Sequence, residues 1–144
     1  MGTAPPPFHV RRLDHVVIRA RDAQRLIRFY ADVLGCRVER EVAAVGLTQL
    51  RAGDSLIDVV SAAGELGRSA GPAPQRGQGH NVDHFCLQVA PFDPDALTQH
   101  LERHGVTFGP VRDLYGAEGV GPSIYVEDPE GNRVELKGPA RGDR

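Results

Sequence analysis

The residues Leu13-Asp14-His15-Val16-Val17-Ile18, near the start of the chain, have a counterpart in Val82-Asp83-His84-Phe85-Cys86-Leu87. Each stretch is an apolar, β-branched or aromatic run that opens on an Asp-His pair, and such runs are typical of β-strands. The two histidines lie 69 residues apart, and Gly35 and Gly105, which each follow a helix-like stretch, lie 70 residues apart. Two anchors repeated in the same order indicate a duplicated unit. A duplication with a histidine at the same strand position in each unit predicts a site shared between the units.

Composition restricts the class of protein. With 144 residues, 40% of them apolar and 25% charged, the chain fits one globular domain. A net charge of −2 provides no basic surface for nucleic acid, and no apolar stretch is long enough to span a membrane or serve as a secretory signal. The two cysteines, Cys36 and Cys86, suit reduced thiols. We therefore expect a cytoplasmic protein with no nucleic-acid or membrane partner.

Hydrophobic periodicity predicts the same order of elements in both units. In the first unit, a strand at 13–19 precedes a helix capped by Asp22 and ended by Gly35, since apolar residues between them recur at one-face helical spacing. In the second, a strand at 82–89 precedes a helix that begins at Asp93-Pro94 and ends at Gly105. Further strands are predicted at 37–42, 46–51, 56–60, 106–108, 123–127 and 133–137, and the Gly-rich residues 112–122 are predicted as a loop.

The order β-α-β-β-β thus occurs twice. It predicts an α+β fold in which two tandem βαβββ modules form a curled eight-stranded mixed sheet with helices on the outer face. Residues 11–138 are expected to form this single domain, with module one at 11–63, a Gly- and Pro-rich linker at 64–80 and module two at 81–138. Residues 1–10 are predicted as a flexible leader and 139–144 as a tail.

Strand alternation indicates which side chains face the open, concave side of the sheet. His84 shares a face with Cys86, opposite the apolar residues that should lie under the helix. The same reasoning places His15 on the concave side, and it points Glu135 inward between two apolar neighbours. Two neutral imidazoles and one carboxylate match the two-His-one-carboxylate arrangement that binds a divalent metal.

Two further residues are candidates for the same site. Asp58 lies within an apolar strand, roughly where Glu135 lies in the second unit, and a buried Asp is costly unless it is paired or metal-bound. It is therefore a candidate ligand, general base or partner of an arginine. Tyr125 lies on the strand before Glu135 and faces the same side, either as part of the cavity wall or as a hydrogen-bond donor to a substrate oxygen.

Four stretches carry a resemblance to a known family: 13–16, 29–35, 82–85 and 125–136. Over residues 11–138 the chain resembles the vicinal oxygen chelate superfamily, which includes glyoxalase I, extradiol dioxygenases, methylmalonyl-CoA epimerase and the fosfomycin and bleomycin resistance proteins. It is most similar to small glyoxalase-domain proteins. The resemblance implies that His15, His84 and Glu135 bind one divalent ion (Zn, Ni, Fe, Mn or Co). It places Asp58 where glyoxalase I has a fourth ligand, a Glu.

The resemblance implies a glyoxalase-type lyase or isomerase, in which the metal binds two vicinal oxygens of a small substrate and Glu135, Asp58 and Tyr125 are catalytic. An Fe(II)-dependent extradiol-type dioxygenase is one alternative, although residues 36–63 lack the additional His that such enzymes use. A metal-free, antibiotic-sequestering protein is another, although such binders typically lack the ligand set. The resemblance also implies a homodimer, and it leaves open whether each site is built from one chain or two.

Overall fold

The computed structural model describes residues 12–69, 71–72 and 82–141. It contains two four-stranded sheets with the orders β1-β4-β3-β2 and β5-β8-β7-β6. In each sheet the first pair is parallel and the other pairs are antiparallel, so the predicted α+β fold of two βαβββ modules is confirmed. The strands are β1 (His15–Ala20), β2 (Arg37–Val42), β3 (Leu47–Ala52), β4 (Ser55–Ser61), β5 (Phe85–Gln88), β6 (Arg112–Gly116), β7 (Gly119–Glu127) and β8 (Arg133–Lys137), and the helices are α1 (Ala23–Arg28), α2 (Glu65–Ser69) and α3 (Pro94–Arg103).

The main helix of each module begins and ends as its sequence predicts. The Asp22 side chain accepts a hydrogen bond from the backbone N–H of Arg25 at the start of α1, and Asp93 caps α3, in which proline is the first residue. After α1 the chain continues through one π-helical turn, Phe29–Val33. Gly35 (φ 76°) and Gly105 (φ 64°) then turn the chain in the left-handed conformation that favours glycine.

The Gly-rich stretch 112–122, predicted as a loop, is instead most of a β-hairpin formed by β6 and β7. Two of its glycines meet a packing requirement, and Gly119 (φ 117°) follows the turn between the strands. A Cβ on Gly116 would lie 2.5 Å from Cε of Lys137, and one on Gly121 would lie 3.2 Å from its Nζ. The strand predicted at 106–108 is also wrong, because only Phe108 forms an isolated bridge.

The predicted linker begins with a short helix, α2. Gly67 in this helix packs so closely on β4 that a Cβ would lie 2.0 Å from the carbonyl oxygen of Ser61. The rest of the linker apart from residues 71 and 72, the predicted leader 1–10 and residues 142–144 of the tail lie outside the described residues. Among the helices of the described part, none is long and apolar enough to cross a membrane.

The two modules share one apolar core. Ile18 from β1 and Leu136 from β8 belong to the same cluster of buried side chains. The Tyr30 hydroxyl of module one donates to the buried Asp128 carboxylate of module two at 2.8 Å. Glu130 in the β7–β8 turn accepts from the backbone N–H of Arg21 at 2.7 Å. Because the modules join through their helix-covered faces, the opposite faces, with the predicted site residues, lie away from this shared core.

Candidate metal centre

The strongest candidate for a metal centre lies in module two, where His84 and Glu135 meet. His84 precedes β5, and β5 pairs in parallel with β8 so that Cys86 lies opposite Glu135. The Nε2 atom of His84 is 3.3 Å from Oε1 of the buried Glu135, and Ser123 Oγ donates to the other carboxylate oxygen at 2.8 Å. Ligand atoms about 2.0–2.2 Å from one ion lie about 3 Å apart when they are neighbours in its coordination shell. These two side chains are therefore spaced as two ligands of one divalent metal would be.

A neighbouring carboxylate orients the imidazole of His84. Oδ2 of Asp83 lies 2.6 Å from Nδ1 of His84, which leaves Nε2 as the ring nitrogen that faces Glu135. The hydrogen bond from His84, and then Arg133 at 3.6 Å, hold the pKa of Asp83 below its ordinary value. A carboxylate in this position keeps a ligating imidazole in the productive tautomer.

Module one repeats this geometry. Oδ2 of Asp14 lies 2.8 Å from Nδ1 of His15, as Asp83 does from His84. In the register of β1 and β4, Val17 lies opposite Asp58, as Cys86 lies opposite Glu135 in the other sheet. Asp58 thus occupies the position in module one that Glu135 occupies in module two. The duplication extends to the residues that orient the imidazoles.

Asp58 is held by its own hydrogen-bond chain. It is buried, and both of its oxygens accept from the side-chain amide of Gln49, at 3.1 and 3.2 Å. The Gln49 carbonyl in turn accepts from Arg40 at 3.1 Å. The pKa of His15 is raised, chiefly by its hydrogen bond to Asp14 and to a smaller extent by the charge of Asp58. Asp58 therefore acts on His15 through its charge and has a fixed orientation.

Tyr125 lies opposite Glu135 in the β7–β8 register and packs edge-on against His84, with ring centroids 5.1 Å apart. Burial, and then the Glu135 carboxylate, raise the pKa of Tyr125, so its hydroxyl stays protonated at neutral pH and can donate a hydrogen bond. The guanidinium group of Arg133 lies over the ring, 4.3 Å from its centroid, and this cation–π contact helps to hold the ring in place. Partial desolvation of the exposed Cys86, and then Glu135, also raise its pKa to about 11, which disfavours a thiolate ligand.

One chain does not bring all the predicted ligands together. Within the described residues, no group of three or more His, Cys, Asp or Glu side chains is close enough to hold a metal ion. His84, Glu135 and Tyr125 form one half-site, and His15 with Asp58 forms the other on the second sheet. The two half-sites lie apart because the modules join through their other faces.

Sequence reasoning missed the residues that support these half-sites. The orienting carboxylates Asp14 and Asp83 had a visible signal, since an Asp precedes each repeated His. Gln49 and Ser123 had none, because their roles depend on the cross-strand register. A cleft of about 500 Å³ between α1 and the end of α3 contains none of the five predicted site residues.

Comparisons with known proteins show the family of this chain. The sequence profile of the Glyoxalase/Bleomycin resistance protein/Dioxygenase superfamily matches residues 12–136. The chain is 35% identical over 129 residues to the glyoxalase domain-containing protein RDO1 of Mycosarcoma maydis, covering 88% of this chain and 68% of that protein.

Two solved structures have the same fold. An integron cassette protein from the mobile metagenome of V. cholerae is 26% identical, with a TM-score of 0.70 over 91% of this chain and 97% of that one. Virulence protein STM3117 from Salmonella typhimurium is 22% identical, with a TM-score of 0.72 over 92% of this chain and 100% of that one, and this likeness shows the fold alone. From the profile match and the identity with the fungal protein, the chain belongs to the Glyoxalase/Bleomycin resistance protein/Dioxygenase superfamily.

Proposed function

We propose that this protein is a divalent-metal-dependent enzyme of the glyoxalase type, a lyase or isomerase whose small substrate binds the metal through two vicinal oxygens. The observation that carries the proposal is the repeated Asp-His pair. In each module an Asp carboxylate contacts Nδ1 of the histidine, and a buried carboxylate occupies the same register position. A single histidine beside an Asp has many structural explanations, whereas two at duplicated positions require a common one.

The ligands in this proposal are His84 and Glu135 from one module and His15 from the other, with Asp58 at a fourth position. Because these half-sites lie apart in one chain, a second copy supplies the missing half, and a homodimer has two complete sites. Exposed apolar side chains beside the histidines support such an interface. Leu13 is 87%, Val17 52% and Val82 58% exposed.

A metal held there would supply Lewis-acid stabilisation of charge on the substrate oxygens. The side chains of this chain supply the remaining chemistry. The Tyr125 hydroxyl donates a hydrogen bond to a substrate oxygen, since the raised pKa keeps it protonated. Asp58, fixed by the Gln49 amide, accepts a proton from the carbon next to the vicinal oxygens.

Subunit complementation tests the shared site. H15A and E135Q homodimers are each expected to lose most bound metal. A heterodimer of the two, purified through different tags, carries one intact and one doubly altered site if the half-sites come from different chains. It should then hold about one ion per dimer by elemental analysis.

The exposed His104, which directly follows α3, provides a matched control, and H104A should retain full metal content. A heterodimer no better loaded than its parents would rule out the shared site. Wild-type protein that stays metal-free after incubation with each of the five candidate ions would rule out the metal centre itself.

Metal identity tests the reaction class. Protein purified without added metal should contain zinc, nickel or cobalt if it is a lyase or isomerase. Iron in the purified protein, together with oxygen uptake when catechol is added, would contradict that assignment and favour the dioxygenase.

A further inference from the structure

The concave faces of the two modules differ at one equivalent position. Two residues beyond Asp58, module one has the buried Val60. Two residues beyond Glu135, module two has the buried Lys137. Residues two apart on a strand share a face, so each lies on the same side of its sheet as the candidate carboxylate. Because module one has the apolar Val60 at this position, the fold does not require a charged side chain there.

The ammonium group of Lys137 has two acceptors within the described parts of the chain. The residue is 5% exposed, and its Nζ donates to the carbonyl oxygens of Leu114 at 2.7 Å and Gly121 at 3.3 Å. An ammonium has three N–H donors, so one has no acceptor within the described parts of the chain. No carboxylate of these parts lies within ion-pair distance of it either. Burial of an ammonium is costly, and an anionic ligand would lower that cost.

The surroundings of Lys137 are built to hold it in this place. A Cβ on Gly116 would collide with the aliphatic chain of Lys137, and a Cβ on Gly121 would lie 3.2 Å from its Nζ. Gln88 lies opposite Lys137 on β5, and its amide donates to Glu118 in the β6–β7 turn at 3.0 Å. The hairpin thereby bounds one end of the concave face, with the lysine beneath it and the His84–Glu135 pair at the adjacent position.

We propose that Lys137 forms an anion subsite beside the metal centre and recognises a carboxylate that the substrate carries beyond its two metal-binding oxygens. The inference rests on the proposed function, because His84 and Glu135 place the chelating end of the ligand. The third N–H of Lys137 donates a charge-assisted hydrogen bond to the carboxylate. Only the half-site of module two has this subsite, since the equivalent position in module one is the apolar Val60.

Three probes that share one chelating head test the subsite: catechol, 3,4-dihydroxybenzoate and its neutral analogue 3,4-dihydroxybenzamide. Their affinities for the zinc-loaded wild-type protein are measured by anaerobic titration calorimetry. The carboxylate should bind about tenfold more tightly than the amide, as expected for one charge-assisted hydrogen bond. Equal affinities would overturn the proposal, and this comparison needs no variant.

The K137M variant, which retains the unbranched chain, is the second arm of the test. Once thermal denaturation has verified its fold, it should bind carboxylate and amide equally and bind catechol as the wild type does. An unchanged tenfold preference in K137M would also overturn the proposal.

Benzoate, which lacks the chelating oxygens, separates the subsite from the metal centre. It should bind the metal-free wild-type protein weakly and K137M at least several-fold more weakly. If catechol fails to bind the zinc-loaded protein while benzoate binding still depends on Lys137, the proposed function fails and the subsite stands. If catechol binds but the carboxylate gives no advantage, the subsite alone fails.

Discussion

Replacing Asp83 by Asn tests whether the residue preceding each histidine prepares it to bind metal. The carboxylate lies 2.6 Å from Nδ1 of His84 and leaves Nε2 facing Glu135 at 3.3 Å. An asparagine retains the volume but removes the charge, and its amide can present a donor to Nδ1. The imidazole then loses both its enforced tautomer and the partner that makes Nε2 a stronger ligand.

The size of the effect follows from the kind of contact. Loss of a carboxylate bonded to a metal-ligating histidine typically lowers metal affinity 10- to 100-fold, which corresponds to about 1.4–2.7 kcal/mol. Asp14 makes the equivalent contact at 2.8 Å in module one, so D14N should weaken metal binding by a similar factor. Because both histidines bind the same ion in the proposed site, each single variant should affect every site.

Zinc affinity is measured by competition with a chelating dye at pH 8, so that proton competition at the imidazoles is small. Asp54, in the exposed turn between β3 and β4, provides a control that removes the same charge without a histidine partner. D54N should bind zinc as the wild type does. A loss of less than twofold in both D83N and D14N, or an equal loss in D54N, would refute the orienting role.

Three other predictions concern buried and titratable groups. Burial holds the pKa of Tyr30 well above 10, so the free energy of unfolding falls as the pH rises above 10, by at most about 1.4 kcal/mol per pH unit. In urea unfolding, Y30F should lose less of this free energy with rising pH than the wild type. Y115F, at an exposed tyrosine, should lose as much as the wild type. In metal-free protein, Cys86, with its pKa of about 11, should react with a disulfide reagent at pH 8 about 100-fold more slowly than an ordinary thiol. E135Q should accelerate the reaction only in part, because desolvation is the larger cause of the raised pKa, and a wild-type rate equal to that of an ordinary thiol would contradict that pKa. D128A should lower the melting temperature by about 10 °C in circular dichroism, because several buried donors lose their acceptor, and a shift below 3 °C would show that these bonds contribute little.

Local sequence signals were sufficient for the fold wherever one residue type has one conformational role. Asp22 and Asp93 as caps, and Gly35 and Gly105 as helix ends, were all predictable from the chain. The β6–β7 hairpin was not, because its glycines resemble loop residues. Gly116 makes room for the aliphatic chain of Lys137, and this contact depends on strand pairing.

The sequence was sufficient to predict which sheet face each candidate residue occupies, but not how the two modules contact each other. Alternation correctly put Val134 and Leu136 in the core, which leaves Glu135 on the opposite face. Periodicity within each module contains no information about which faces the modules use to contact each other. That choice depends on tertiary contacts such as the hydrogen bond from Tyr30 to Asp128, and it separates the two half-sites in one chain.

The hydrogen bonds of the two carboxylates imply that folding and metal binding are separable in this protein. Glu135 accepts from Ser123, and Asp58 accepts twice from Gln49, so neither buried carboxylate depends on an ion for its partners. Small zinc domains differ, because their ligands have no other role and the chain unfolds without metal. Treatment with a chelator should therefore leave the far-ultraviolet circular dichroism spectrum unchanged and lower the melting temperature only by the mass-action term for ligand binding. Cooperative unfolding on chelation at 25 °C would show that the metal is structural and that these hydrogen bonds are too weak to replace it.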